Sequence, residues 1–311
     1  MNESDLRPAD GRVLHVHDTG AGRSADGPTV FWQHGTPNIG APPAPLFPAA
    51  ARLGIRWVSH DRPGYGGSTP CPGRSVASAA ADVRAVADAL DIDRFAVMGH
   101  SGGGPHALAC GALLADRVLA VVSVAGLAPF DAEGLDWFAG MIPSGAASLR
   151  AAAHGRGAKE RHESGAVFDP EMFTAADHAA LAGPWSWFAD VVGPAVESGP
   201  GGLIDDDLAY VTPWGFRPAS ITVPTLLLHG GRDRVVPSAH ARWLADHIPG
   251  AELRTSPDEG HISVLGGGEE AWSGWRSTGA DEPGNRRGRG LRRTCRPARL
   301  HFDNSVAKVA A

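Results

Sequence analysis

Apolar runs of strand length alternate with helix-compatible segments through the first part of the chain. Thr29 to Gln33, Ile55 to His60, Phe95 to Met98 and Leu119 to Val124 are short and rich in β-branched and aromatic residues. Ser75 to Leu90 places Val76, Ala80, Val83, Val86, Ala87 and Leu90 at helical spacing, which predicts an amphipathic helix with Ser75 as its N-cap. Pro105 to Ala115 predicts another helix. Ahead of these, a polar lead gives way to Arg12 to His17, whose alternation suits an edge strand. Strands that alternate with helices predict a mostly parallel sheet with right-handed crossovers, an α/β fold wound on both faces.

The alternation breaks between about Phe130 and Phe216. No comparable β-rich run occurs there, but Gly134 to Ala153 and Asp169 to Ala182 are helix-compatible, and aromatics are frequent: Trp137, Phe138, Trp185, Trp187, Phe188, Trp214 and Phe216. An insertion of this size between two sheet strands predicts a helical cap. Most of its aromatics are expected to form the cap's own small core, with a minority lining an apolar pocket. The sheet pattern resumes at Ile221 to Gly230. Ser238 to Ile248 predicts a helix and Leu253 to Ser256 a last strand. The expected organisation is a first core part over 1–129, a cap over 130–216, a second core part over 217–265 and an atypical tail over 266–311.

Candidate chemistry sits where predicted strands end. Phe95 to Met98 runs into Gly99-His100-Ser101-Gly102-Gly103, a G-x-S-x-G sequence ahead of a helix-forming segment. A turn this tight strains the serine backbone and demands small neighbours, which Gly99 and Gly103 supply. It lifts the Ser101 hydroxyl above the sheet and leaves the Gly102 N–H at a helix N-terminus, suited to an oxyanion. Taken alone, the motif is equally compatible with a flexible glycine loop. The Thr29 strand stops at His34-Gly35-Thr36-Pro37, where the Thr36 N–H would face the same place as Gly102. The Ile55 strand closes in Asp61-Arg62-Pro63-Gly64-Tyr65-Gly66-Gly67-Ser68, an ordered turn in which Asp61 and Arg62 are expected to form local hydrogen bonds. Asp233 stands just past a strand end, as a buried carboxylate that orients a histidine should, although a plain turn-forming Asp would also fit there. His261 follows the last strand, 28 residues after Asp233.

Composition narrows the class. The chain has 311 residues, 43% apolar and 20% charged, and a net charge of −6, ordinary values that single out no partner. Cys71, Cys110 and Cys295 show no metal or disulfide spacing, and the polar N-terminus lacks the basic and apolar regions of a signal peptide. No apolar run approaches the roughly 18 residues of a membrane span. A cytoplasmic protein is expected.

Ser101, Asp233 and His261 occur in that order, each after a predicted strand. With Gln33-His34-Gly35-Thr36-Pro37, the Asp61 to Ser68 turn, His229-Gly230-Gly231-Arg232-Asp233 and Gly260-His261, the chain from about Val30 to Ser263 resembles the α/β-hydrolase fold family, in its cap-bearing branch. The resemblance implies that Ser101 attacks an acyl carbon and that His261 takes and returns its proton. It further implies that Asp233 fixes the imidazole, that the Thr36 and Gly102 N–H groups hold the oxyanion, and that no metal or organic cofactor is needed. Asp131 occupies a place some relatives use for the acid and is the main rival to Asp233. Asp258 and Glu259 adjoin His261 too closely to serve. A serine nucleophile argues against the aspartate-based chemistry of epoxide hydrolases and haloalkane dehalogenases.

The expected activity is hydrolysis of a small or medium, largely apolar carboxylic ester through an acyl-enzyme. Aminopeptidase, carbon–carbon bond hydrolase or perhydrolase activity on the same fold, and a slow-turnover ligand receptor, are the alternatives. An aminopeptidase would need cap carboxylates to hold an amine. Glu163, Glu171, Glu197 and Asp205-Asp206-Asp207 are available but read as solvated acidic surface. The tail departs from the resemblance, because Gly284 to Leu300 holds seven arginines where a helix is expected after His261. From Val264 onward nine basic residues stand against five acidic. That run is the one feature directed at nucleic acid, and it reads instead as a disordered tail. A small-molecule substrate is the expected partner; oligomeric state is not legible.

Overall fold

A computed structural model describes residues 1–20 and 27–267. Eight strands form one sheet in the order β1-β2-β4-β3-β5-β6-β7-β8. In chain order these are β1 (Asn2–Leu6), β2 (Leu14–Asp18), β3 (Thr29–Gln33), β4 (Arg56–His60), β5 (Phe95–His100), β6 (Val118–Val124), β7 (Thr225–Gly230) and β8 (Glu252–Ser256). The β1–β2 and β2–β4 pairs are antiparallel, and every later pairing is parallel. The predicted α/β class and mostly parallel sheet are what the structure shows.

Alternation along the central strands sorts the core into two layers. Phe31, Val97, Val121 and Leu227 point to one face and pack with α2 (Ser78–Ala89), α3 (Gly103–Leu113) and α9 (Ala239–His247). Trp32, Met98, Val122, Val124 and Leu228 point to the other, where α1 (Phe47–Leu53) packs. Helices on both faces explain why these strands are apolar without interruption.

Five helices lie between β6 and β7: α4 (Pro143–Ala153), α5 (Arg156–Ser164), α6 (Ala175–Ala182), α7 (Phe188–Val196) and α8 (Gly201–Tyr210). Their aromatics do not form a separate small core as expected. Trp137 and Trp214 join the first layer, while Trp185, Trp187 and Phe188 join the second. The segment is therefore packed continuously with the sheet.

Local expectations needed correction in four places. The polar lead contains a strand, so the edge is β1 and not β2; its exposed, charged residues gave no apolar pattern, yet such residues are what protects an edge from foreign pairing. Ser75 is not an N-cap: α2 begins at Ser78, and the Ser75 N–H instead donates to Ser78 Oγ at 3.0 Å. Helix starts at Gly134 and Asp169 were placed too early, because turns and a 3₁₀ segment precede α4 and α6. α1, only seven residues long and opened by proline, was missed. The tail from residue 268 on, with its arginine run and Cys295, lies outside the described residues. Among the described residues no helix is long and apolar enough to cross a membrane.

Stability should fall in mild acid. Burial pushes the His100 and His106 imidazoles down to about 3 and His240 to about 4, and also lowers His34 and His60. A folded-state pKa below the unfolded value means the unfolded chain binds more protons, so stability is lost as pH falls from about 6.5 toward 4. His15 opposes this, since its neighbouring carboxylates outweigh burial and raise its pKa. Each fully neutral-buried histidine contributes a slope of up to about 1.4 kcal/mol per pH unit in that window. Urea unfolding midpoints at pH 7, 6 and 5 should decline in sequence; a flat profile would contradict the assignment.

Candidate active site

The turn after β5 has the strained geometry that G-x-S-x-G requires. Ser101 has φ of 53°, in the left-handed region, and its N–H donates to the Val124 carbonyl at 2.8 Å. A Cβ at Gly99 would overlap the Gly103 carbonyl, and one at Gly103 would overlap the Gln33 carbonyl, so no larger residue fits. Both glycines do what the sequence pattern demanded of them.

Asp233 lies past the end of β7, with one oxygen accepting from the Val235 and Val236 N–H groups at 2.8 and 2.9 Å. Its other oxygen lies 2.7 Å from His261 Nδ1. Because a carboxylate only accepts, this pair places the proton of a neutral ring on Nδ1 and leaves Nε2 with a lone pair. Burial alone would raise the Asp233 pKa, but His261 and His229 beside it reverse the direction and hold it well below the usual carboxylate range. Asp131 is exposed, and Asp258 pairs at the surface with Arg232 at 2.8 Å, so Asp233 is the carboxylate that meets the histidine.

Among the described residues no hydrogen bond joins the Ser101 hydroxyl to His261. Their loops are brought together by His100, the middle residue of the motif before the serine. Its Nε2 donates to the His261 carbonyl at 2.9 Å, and the two rings lie 5.0 Å apart. On the other side of the His100 ring stands Phe188 of α7, at 5.7 Å. Thr36 and Gly102 are also adjacent: a Cβ on Gly102 would meet Thr36 Oγ1 at 2.5 Å and overlap the Tyr210 hydroxyl.

Two buried carboxylates from the helices between β6 and β7 hold this site, and neither was found from sequence. Asp177 of α6 accepts from the Ile262 and Ser263 N–H groups at 2.7 and 2.9 Å and from the His261 N–H at 3.2 Å. It also caps its own helix through Thr174. Burial would raise its pKa, but these backbone donors lower it. Asp206 of α8 accepts from Arg74 at 2.6 Å, from Arg62 at 2.6 and 3.2 Å, from Tyr65 at 2.9 Å and from Thr36 at 2.5 Å. Burial would raise its pKa too, and the two guanidinium groups drive it far below the ordinary range.

The reading of Asp205-Asp206-Asp207 as solvated surface is thereby overturned: Asp205 pairs with Arg156 and Asp207 with Lys159, and all three are buried. Arg62 also does more than expected. Asp61 and Arg62 both make the local bonds foreseen, Asp61 accepting from the Gly67 N–H at 2.9 Å and the Arg62 carbonyl from the Tyr65 N–H at 3.0 Å, but the Arg62 guanidinium also reaches the distant Asp206. A sequence clue to Asp206 was present: three consecutive acids in a helix otherwise made of small and apolar residues cannot all face water.

A family model described as the alpha/beta hydrolase fold matches residues 28–267, and the chain belongs to that family. Solved structures agree. An enol-lactonase from Burkholderia xenovorans LB400 is similar with a TM-score of 0.67 at 22% identity, over 88% of this chain and 98% of that one. Est816, described as an N-acyl homoserine lactone degrading enzyme, is similar at 0.61 and 25%, over 88% and 99%. An esterase from Exiguobacterium antarcticum is similar at 0.60 and 23%, over 88% and 98%. The chain is thus a hydrolase-fold protein over its whole described length after β2.

The two carboxylates should be separable by mutation. Asp206→Ala leaves Arg62 and Arg74 buried without their counter-ion and should cost about 3 to 5 kcal/mol in urea unfolding. Asp177→Ala should cost less, about 2 to 3 kcal/mol, and should speed amide exchange selectively at His261, Ile262 and Ser263.

Proposed function

We propose that the protein hydrolyses carboxylic esters through an acyl-enzyme on Ser101. The observation that carries this reading is the buried 2.7 Å contact between Asp233 and His261 Nδ1, which leaves Nε2 as the base beside a serine loop. In the reaction, His261 Nε2 removes the hydroxyl proton as Ser101 Oγ attacks the ester carbonyl. The tetrahedral oxyanion is held by the N–H groups of Thr36 and Gly102, each worth on the order of 3 kcal/mol in comparable sites. Collapse expels the alkoxide, which takes the proton from His261. Water then repeats the sequence on the acyl-enzyme, with His261 again as base, and releases the acid. Asp233 stabilises the imidazolium formed in each half. A serine-to-histidine hydrogen bond that forms only with substrate in place is ordinary for such sites.

The helices over 130–216 act in this reading as a cap that supplies the apolar side of the pocket, with Phe188, against His100, its nearest aromatic. The names of the similar structures, which include an esterase, an enol-lactonase and an N-acyl homoserine lactone degrading enzyme, support an acyl substrate. The aminopeptidase alternative is weakened: Glu163 and Asp205 to Asp207 are each engaged by a cation from within the chain, which leaves only the exposed Glu171 and Glu197 of the cap carboxylates named for it.

Hydrolysis of p-nitrophenyl acetate and butyrate should disappear in Ser101→Ala with the fold intact by circular dichroism. Asp233→Asn should lower kcat by about 10⁴-fold, since the amide imposes the wrong imidazole tautomer. Full activity in Ser101→Ala would refute the proposal.

A further inference from the structure

One buried histidine beside the candidate site has no step in the hydrolysis described above. His229 belongs to β7, along which Leu226 and Leu228 face the second core layer and Leu227 the first, so alternation puts His229 on the Leu227 face. Every residue of β7 is buried, and the pattern calls for an apolar side chain at this position. The His229 ring is fully buried instead, and its Nδ1 has no hydrogen-bond partner among the described residues. An unpaired polar atom in the core is costly, so the ring is explained by what its other nitrogen does.

His229 Nε2 lies 2.7 Å from the Val236 carbonyl oxygen and 3.4 Å from Asp233 Oδ2. Both oxygens only accept, so Nε2 carries a proton and donates it mainly to the nearer carbonyl, with the carboxylate as a second, weaker acceptor. The Val236 N–H donates in turn to Asp233 Oδ1 at 2.9 Å. Val236 is thus gripped through both of its backbone groups, the N–H by the carboxylate and the carbonyl by a ring on the sheet. The turn has little backbone hold of its own at this end, since the bond from the Asp233 N–H to the Gly230 carbonyl is long, at 3.3 Å. The His229 backbone, by contrast, is fixed in the β7–β8 ladder opposite Thr255.

We infer that His229 is a positioning residue for the ester hydrolysis proposed above: it ties the turn from Asp233 to Val236 to β7 and so keeps the carboxylate aimed at His261 Nδ1. This rests on the reading of Ser101, His261 and Asp233 as the reacting set, because the hold on the turn affects rate only if Asp233 has to meet His261 at one distance in both half-reactions. His229 itself touches no reacting atom and acts through Asp233. The other rings that feel the Asp233 charge are His100 and His240. Their Nε2–H groups donate elsewhere, to the His261 and Trp137 carbonyls, so neither takes its place.

The test compares two variants of the full chain. His229→Met fills the space without an N–H, whereas the side-chain amide of His229→Gln can donate to the same two oxygens. With both folded by circular dichroism, His229→Met should lower kcat for p-nitrophenyl butyrate about ten-fold, the loss expected for one hydrogen bond supporting a charged group, with KM unchanged. The downfield proton resonance of the His261 Nδ1–H, read by NMR without substrate, should broaden or vanish in His229→Met. His229→Gln should keep that resonance and recover most of kcat. A purely structural histidine would lower Tm and leave the resonance and the kcat of the folded enzyme as in the unsubstituted chain, and that result would overturn the inference, as would a His229→Gln variant impaired as badly as His229→Met. The resonance needs no turnover, so failure of the esterase reading in Ser101→Ala and failure of this inference are separate results.

Discussion

The Asp206 carboxylate with its two arginines is the interaction on which most of the site's architecture rests. It is fully buried and takes donors from three separate places: Thr36 after β3, Arg62 and Tyr65 after β4, and Arg74 ahead of α2. Arg62 spreads the constraint by donating to the His34 and Gly35 carbonyls, and Tyr210, one turn on from Asp206 in α8, donates to the Gly102 carbonyl at 3.1 Å. Burying such a cluster costs desolvation that an apolar core would not incur. What it provides in exchange is register. The loops that carry Thr36, Arg62 and Arg74 are thereby tied to a single group.

The same logic governs the histidine side. Among the described residues after His261, Ile262, Val264 and Leu265 pack into the core, and the turn itself is held by polar contacts. Asp177 accepts three consecutive backbone N–H groups, while His100 Nε2 donates to the carbonyl of His261, the first of those three residues. His100 can do this because burial keeps it neutral: its Nε2–H donates to a carbonyl without introducing a positive charge beside His261.

How much of this was legible in the sequence follows from the range of each interaction. Ser101, Asp233 and His261 could be singled out because each follows a predicted strand and sits in a short local pattern with neighbouring glycines. The alternating core was legible for the same reason. Asp177 and Asp206 were not, because their partners lie 84 or more and 132 or more residues away in the Asp177–His261 and Asp206–Arg74 pairs, and an acidic residue on a helix reads as solvated until its partner is known. β1 was missed because an edge strand with both faces near water has no hydrophobic period to detect. The aromatics were misassigned because period alone does not say which layer a ring joins.

These long-range contacts bear on how the insertion moves. It is fastened at Asp177 to the His261 turn, at Val191 by a 2.9 Å bond from the Ile39 N–H, and at Asp206 to Arg62 and Arg74. α5 is fastened to α8 in turn through the buried Lys159 and Asp207. A swing of the whole insertion away from the sheet would break all three anchors together. Separating Asp206 from its arginines alone costs about 3 to 5 kcal/mol, which holds such an opened state below about one molecule in a hundred. Access to Ser101 therefore has to come from side-chain and loop motion between the anchors. Phe188 stands 5.7 Å from the His100 ring and packs against Trp185 and Trp187, so these rings lie beside the residue that precedes Ser101.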